Sequence, residues 1–346
     1  MRITYDDFIK YLNILKFGVS KDEIPPYANY IYSTGDTLQS CNDNVFVKLY
    51  LKFPFVGAIN FFLVEGFIKQ FKDGIFNINI VDDKLVIECT SNSRLELNIL
   101  DMKFPKVAIQ QDSDKLLITE ELNYIIKLAA KFTGLIKKSG IELYSHVYIG
   151  NNCITGTDSM RIVYKKYEAL GDIETLLDRQ ICMLLDQDYK IYRSSSNVVV
   201  EFPDNLGEAI FTSSINYMIT TYPIVKIHSF VEENFSDIKL CSMSYLADAI
   251  KKVSPALFKE MNQSISLHNK NNEITVKVQS MLFGNAITII PSSLEKEVYF
   301  NINPALLHNI PLDYDLYISR SVNIKYIYLC DVTGTPIIIP TKIKEY

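Results

Sequence analysis

The chain has no CxxC pair, no two histidines at metal-binding spacing, and no apolar run near the roughly 18 residues that a membrane-spanning helix needs. Its six cysteines (Cys41, Cys89, Cys153, Cys182, Cys241 and Cys330) stand singly. Zinc and dithiol chemistry therefore find no support, and buried free thiols are the expected state. The four histidines, His146, His228, His268 and His308, lie far apart, and none belongs to a nucleophile elbow or a Walker-type phosphate loop. Asp82-Asp83 and Thr157-Asp158 offer carboxylates, but turns and strand ends hold such residues routinely. No catalytic residue, metal or cofactor is expected. Low-complexity stretches are missing, Met1-Arg2-Ile3-Thr4 does not open a signal peptide, and a cytoplasmic location is expected. A net charge of −5 excludes a surface basic all over, as in proteins that coat nucleic acid, and leaves room for a local basic face.

What is present is an ordinary globular composition, 48% hydrophobic and 22% charged, in 346 residues. That exceeds the roughly 250 to 300 residues at which one core stops growing, so several domains are expected. The stretch from Phe61 to Pro105 sets a pattern. Val64, Phe67, Ile68 and Phe71 share one helical face opposite Glu65, Lys69 and Lys72, and Gly74 ends the predicted helix. Phe76, Ile78 and Ile80 then alternate with polar residues, and the Asp82-Asp83 turn leads to Leu85, Ile87 and Cys89, followed by Leu95, Leu97 and Ile99. The plan recurs with a helix over Asp178 to Asp188 before YKIY and VVVEF, and with a shorter helix over Asn303 to Ile310 before DLYIS and IKYIYL.

Each third also opens on a helix. Thr4 caps the first, with Asp6 and Asp7 in its opening turn and Phe8, Leu12 and Leu15 inward. Thr119 caps the second, with Leu122, Ile125, Ile126 and Ala129 inward. Ser242 opens the third, with Leu246, Ile250 and Val253 inward. Gly150-Asn151-Asn152 and Lys270-Asn271-Asn272 are hairpin turns. The fold class is α+β, with three similar domains over residues 1–112, 113–235 and 236–346. Lys10, Lys69, Lys72, Lys127, Lys131, Arg179, Lys251 and Lys252 fall on helix faces that the apolar stripes leave free. An ordinary solvated face and a phosphate-facing surface are both open readings.

MRITYDDFIKYL, SRLELNILDMKFP, TGTDSMRIV and the terminal PIIIPTKIKEY, in this order and spacing, resemble the bacterial sliding clamp, the β subunit of the replicative DNA polymerase, from end to end. The resemblance implies a homodimeric ring of repeated two-helix, sheet-backed domains around double-stranded DNA. It implies a processivity factor that catalyses nothing, tethers the replicative polymerase and is placed on DNA by a separate clamp loader. It assigns the eight cations to DNA, and assigns Tyr144, Thr157, Arg161, Ile162, Pro223, Ile337, Ile338, Ile339, Pro340 and Thr341 to a pocket for partner peptides. Ser159-Met160 replace the Gly-His common in the family. The resemblance further implies a head-to-tail dimer contact through Leu95 and Leu97 with Leu257 and Phe258, beside Ala256. From the residues alone, Ile337 to Ile339 are equally a terminal core strand, and the leucines equally core. A β-rich structural protein of the virion type is the alternative, and a carboxylate hydrolase ranks third. The richness in Ile, Lys, Asn and Tyr suggests an AT-rich genome, with a phage as one source.

Overall fold

The computed structural model describes residues 1–21, 25–90, 93–107, 111–134, 142–194, 197–212, 219–234, 238–257, 264–280, 284–318, 324–332 and 334–341. Phe258 and the residues Lys344-Glu345-Tyr346 lie outside these. The α-helices among the described residues are α1 (Tyr5–Leu15), α2 (Phe61–Ile68), α3 (Glu120–Lys131), α4 (Arg179–Leu184), α5 (Ile224–Asn234) and α6 (Met243–Val253).

A single local device starts most of them: a short strand runs into a polar cap, and the cap begins the helix. The Thr4 hydroxyl accepts from the Asp7 amide at 3.2 Å and donates to the Asp7 carboxylate at 2.7 Å. The Asn60 side-chain Oδ1 accepts from Leu63 N (3.1 Å), the Thr119 hydroxyl from Leu122 N (3.2 Å), the Asp178 carboxylate from Gln180 N (2.6 Å) and the Ser242 hydroxyl from Ser244 N (3.3 Å). Asn303 repeats this before a single 3-10 turn, Pro304–Leu307, accepting from Ala305 N at 3.0 Å. Each cap satisfies an amide that the helix cannot, an effect of about 1 kcal/mol.

The helix expected over Asn303 to Ile310 is only the four-residue turn Pro304–Leu307, and two others are shorter than their periodicity predicts. α2 stops at Ile68 rather than near Gly74. After it, Gln70 N bonds Phe67 O and Phe71 N bonds Ile68 O, so the ladder tightens to three-residue turns, and Phe71 packs edge-on against Phe76 at 5.4 Å. Lys72 is thus outside the helix. α4 ends at Leu184 rather than Asp188, because fully buried Leu185 is already extended, with ψ 140°. Helix α5 is an addition that the sequence reading did not make.

The described chain divides into two compact units, residues 1–123 with 170–219 and residues 124–169 with 220–346. The division falls inside α3. In the first unit, strands 2–4, 75–81, 84–89 and 94–98 form a four-stranded sheet in that order, with 94–98 at its edge. An eight-stranded sheet runs 56–60, 30–34, 38–41, 45–49, 207–212, 197–201, 190–194, 116–117. Its pivotal pairing is antiparallel between 45–49 and 207–212, with Phe46 opposite Ile210. Phe8 meets Phe76 edge-on at 5.8 Å below α1.

The second unit repeats the plan. Strands 284–291, 273–280, 265–270 and 298–302 make a four-stranded sheet with 284–291 at one edge. Seven strands run 146–150, 153–157, 162–166, 336–340, 326–330, 315–318, 238–242, and here 162–166 pairs antiparallel with 336–340, Ile162 opposite Ile338. The predicted hairpin turns have positive φ at both central residues: Asp82-Asp83, Asn151-Asn152 and Asn271-Asn272. That conformation matches the strand twist and is tolerated best by Asn and Asp.

All six cysteines are buried thiols outside any disulfide. Burial pushes the Cys41 thiol up to about 11 and the Cys241 and Cys330 thiols up to about 12, with carboxylates adding to the effect. These thiols are held in their unreactive form.

Candidate peptide cleft and cationic helix faces

The TGTDSMRIV stretch forms two strands, 153–157 and 162–166, joined by a turn that Asp158 builds. Its Oδ1 accepts from the amides of Met160 (3.0 Å) and Arg161 (2.7 Å), while Thr157 Oγ1 accepts from Ser159 N at 3.1 Å. Ser159 sits at φ 73°. Arg161 braces the turn from below. Nε and Nη2 both reach Asp158 Oδ2 at 2.8 Å, Nη1 donates to the carbonyls of Leu306 (3.3 Å) and His308 (3.0 Å), and the guanidinium lies 4.6 Å from the Phe132 ring centre. With its donors committed in this way, Arg161 holds the hairpin instead of lining the cleft above it.

Gly156 lets that hairpin lie against α3. A Cβ there would fall 2.5 Å from the Ala129 carbonyl oxygen, which is backbone and cannot yield cheaply. We predict that Gly156→Ala lowers stability by about 2 kcal/mol, in the range of overpacking costs, visible as a fall in the thermal midpoint by circular dichroism. An unchanged midpoint would contradict the close approach.

Helix α5 forms the opposite wall. Pro223 precedes it, its carbonyl accepting from Ile227 N at 3.0 Å. Pro223, Ile227 and Phe230 recur at helical spacing on the side turned to the cleft. Before it, Tyr222 stacks on Tyr148 with centroids 5.1 Å apart. The floor comes from alternation along 336–340: Ile338 and Pro340 face the cleft, whereas Ile337 and Ile339 point to the other side and are fully buried. Tyr326, Tyr144, Ile162 and Met160 complete a cavity of about 400 Å³, with Phe230 and Tyr326 meeting edge-on at 4.9 Å. Thr157 and Ser159 supply polar atoms, and among the described residues none that lines the cleft is charged. An apolar trough with a few hydroxyls at its rim suits the hydrophobic anchors of an extended peptide.

Of the nominated pocket residues, Tyr144, Thr157, Ile162, Pro223, Ile338 and Pro340 come together in this cleft. Arg161, Ile337, Ile339 and Thr341 do not line it; Thr341 is tied by its amide to Lys325 O and by its hydroxyl to Ile324 O. Ile227, Phe230 and Tyr326 were not nominated. The i, i+4, i+7 spacing from Pro223 was the available signal for the first two.

The nominated cations differ in their surroundings. Lys10, Lys131, Arg179 and Lys251 are exposed on α1, α3, α4 and α6, and Lys127 is half-buried. Lys69 and Lys16 converge on Glu65 at 2.7 and 2.8 Å, and Lys252 pairs with Asp248 at 2.6 Å. Partial burial opposes ionisation of Glu65, but the two lysines outweigh it and hold the carboxyl below its ordinary value. At the edge strand 94–98, Leu95 is half-buried and Leu97 only 4% exposed, while Leu257 is buried in the turn after α6. The edge strand 284–291 instead presents Ile287 and Ile289, 59% and 58% exposed. Among the described residues, no group of three His, Cys, Asp or Glu could hold a metal, and no helix is long and apolar enough to cross a membrane.

Repeated strand–cap–helix units backed by antiparallel sheets, carried from one end of the chain to the other, define a sliding-clamp fold of the α+β class. Solved structures make the likeness specific. The chain is similar to the DNA polymerase III β subunit of Thermotoga maritima (TM-score 0.77, 12% identity, 99% of both chains covered). It is likewise similar to the β chain of Streptococcus pneumoniae (0.76, 14%, 99% of both) and the β subunit of Pseudomonas aeruginosa (0.73, 12%, 99% of this chain and 100% of that one). One further Pseudomonas aeruginosa clamp structure is bound to griselimycin. No protein-family profile matches the chain, and no curated protein sequence matches it.

Proposed function

We propose that the chain is a DNA polymerase processivity factor: a homodimeric ring of three domains per subunit that encircles duplex DNA, slides without sequence preference and tethers a replicative polymerase through the apolar cleft. The full-length likeness to polymerase III β clamps carries this reading. The six capped starts support three domains, since Thr4 and Asn60 fall in 1–112, Thr119 and Asp178 in 113–235, and Ser242 and Asn303 in 236–346. The protein catalyses nothing itself, works in the cytoplasm and depends on a clamp loader to open the ring. Two long sheet edges, 94–98 and 284–291, are the surfaces through which two subunits close it, because an unpaired edge is satisfied by a neighbour's strand.

The decisive experiment places the protein on a nicked circular duplex with a clamp loader and passes the mixture through a sizing column. Retention on the circle, and loss once the circle is linearised, is expected. Equal loss from both forms would refute encirclement.

Grip on the duplex comes from lysines that exchange one phosphate for the next. Lys69 and Lys252 are drawn to carboxylates of their own helices, and Lys10, Lys131, Arg179 and Lys251, exposed on theirs, carry most of it. Lys127→Glu with Lys131→Glu is expected to weaken retention and to flatten the logarithmic salt dependence by about one unit per lysine removed, with folding unchanged. An identical salt slope would remove α3 from the DNA-facing surface.

A further inference from the structure

Two junctions inside the chain join strands from distant parts of the sequence, and one strand of each kind is left over. Strand 45–49 pairs antiparallel with 207–212, and 162–166 with 336–340. Strand 284–291 holds the corresponding place in the last third and 94–98 in the first, and each stands at an edge of its sheet.

Ladder pairs fix which residues correspond. A two-residue turn closes the first hairpin of each third, at 35–36, 151–152 and 271–272. Five residues past it stand Cys41, Thr157 and Lys277, and their partners on the next strand are Phe46, Ile162 and Ile287. Phe46 lies opposite Ile210, and Ile162 opposite Ile338. Those two in turn pair with Val199 and Tyr328, each two residues before the last pair of its hairpin, Glu201 with Glu208 and Cys330 with Pro336. In the first third that last pair is Glu88 with Arg94, so the corresponding residues are Val86 and its partner Glu96. Ile287 therefore has the position of Phe46 and Ile162, and Glu96 that of Ile210 and Ile338.

We propose that strand 284–291 of one copy pairs antiparallel with strand 94–98 of a second copy of this chain, with Ile287 opposite Glu96. The inference rests on the ring reading for the second copy and adds the register to it. Alternation supports the same register independently. It sets Ala286 against Leu97 and Thr288 against Leu95. Ala286 and Thr288 share their face with buried Val278 and Val276, and Leu97 and Leu95 share theirs with buried Leu85 and Ile87. The two buried faces run on into one. A slip of one residue would put Leu95 and Leu97 on the side of exposed Ile287 and Ile289. On that outer side, Lys277 beside Ile287 comes to lie two strands from Glu96, about 10 Å between Cα atoms, and the two long side chains carry opposite charge.

Backbone hydrogen bonds say where to test it. Thr212 N donates to Asn44 O at 2.7 Å and Tyr50 N to Leu206 O at 2.8 Å, so Phe46 with Ile210, an even number of residues from both, is a hydrogen-bonded pair. The pairs on either side of it are the closer, non-bonded kind, whose spacing suits a disulfide. Their counterparts across the two copies are Ala286 with Leu97 and Thr288 with Leu95.

The full chain is prepared as three double variants: Leu95→Cys with Thr288→Cys, Leu97→Cys with Ala286→Cys, and, slipped by two residues on the same face, Leu97→Cys with Thr288→Cys. Oxidation with copper phenanthroline is followed on non-reducing gels, with the parent, whose thiols are buried, as the blank. The first two variants are expected to form covalent dimers about tenfold faster than the third. Sedimentation velocity before oxidation reports whether each is a dimer, and either in-register pair decides alone should the other variant not fold. Dimers in which the slipped pair closes as fast as the in-register pairs, or in which no in-register pair closes, overturn the register and leave the ring standing. A parent that sediments as a monomer overturns the ring reading and the register with it.

Discussion

Replacing Phe230 with alanine is expected to weaken peptide binding by about a hundredfold, the 2 to 3 kcal/mol typical of a central aromatic anchor, and to remove stimulation of the polymerase. Phe230 is half-buried on α5 and meets Tyr326 edge-on, so its ring forms one side of the cleft. Truncation takes away that wall and leaves the sheet beneath intact. The cost to stability should stay near 1 kcal/mol, below that of emptying a full core site. Ile338→Ala is the contrasting case: Ile338 lies on a central strand opposite Ile162, and its loss should lower stability and binding together. Fluorescence anisotropy with a labelled peptide, beside thermal unfolding, separates the two. A Phe230→Ala protein that binds peptide as tightly as its parent would remove α5 from the site.

The second large effect is on assembly. Ile287→Asp combined with Ile289→Asp is expected to convert the dimer to monomers and to abolish retention on circular DNA. Both side chains project from the free edge of a four-stranded sheet and are more than half exposed in the single chain, so charge there costs little before assembly and much after it. Leu97→Asp is a poorer probe, because Leu97 already packs within its own sheet and its replacement would report on folding. Sedimentation velocity is the measurement, and an undiminished dimer would exclude 284–291 from the subunit contact.

How much of this was legible beforehand follows the range of the forces involved. The caps at Thr4, Thr119 and Ser242 and the paired Asp and Asn turns act across two to four residues, so their chemistry stands in the local sequence. The inward residues of α1 and α3 followed from period alone. The ends of α2 and α4 did not: Phe71 packs against Phe76 beyond the helix as well as against Phe67 within it, and Leu185 is buried on extended backbone. Lys72 was misplaced for the same reason. Of the residues nominated for the cleft, Thr157, Ile162, Pro223, Ile338 and Pro340 line one cavity, and Arg161 lies outside that lining. Its true task depends on Asp158, Phe132 and two carbonyls near residue 307, and no spacing announces that set.

By itself the sequence determined an α+β chain of repeated capped helices and antiparallel hairpins, with buried thiols and cations on free helix faces, since each of these rests on neighbours a few residues away. Tertiary structure alone decided which side of 336–340 floors the cleft and that α5 walls it. Those outcomes depend on pairing strand 162–166 with a strand at the far end of the chain, and a contact so distant leaves no periodic mark in the residues that make it.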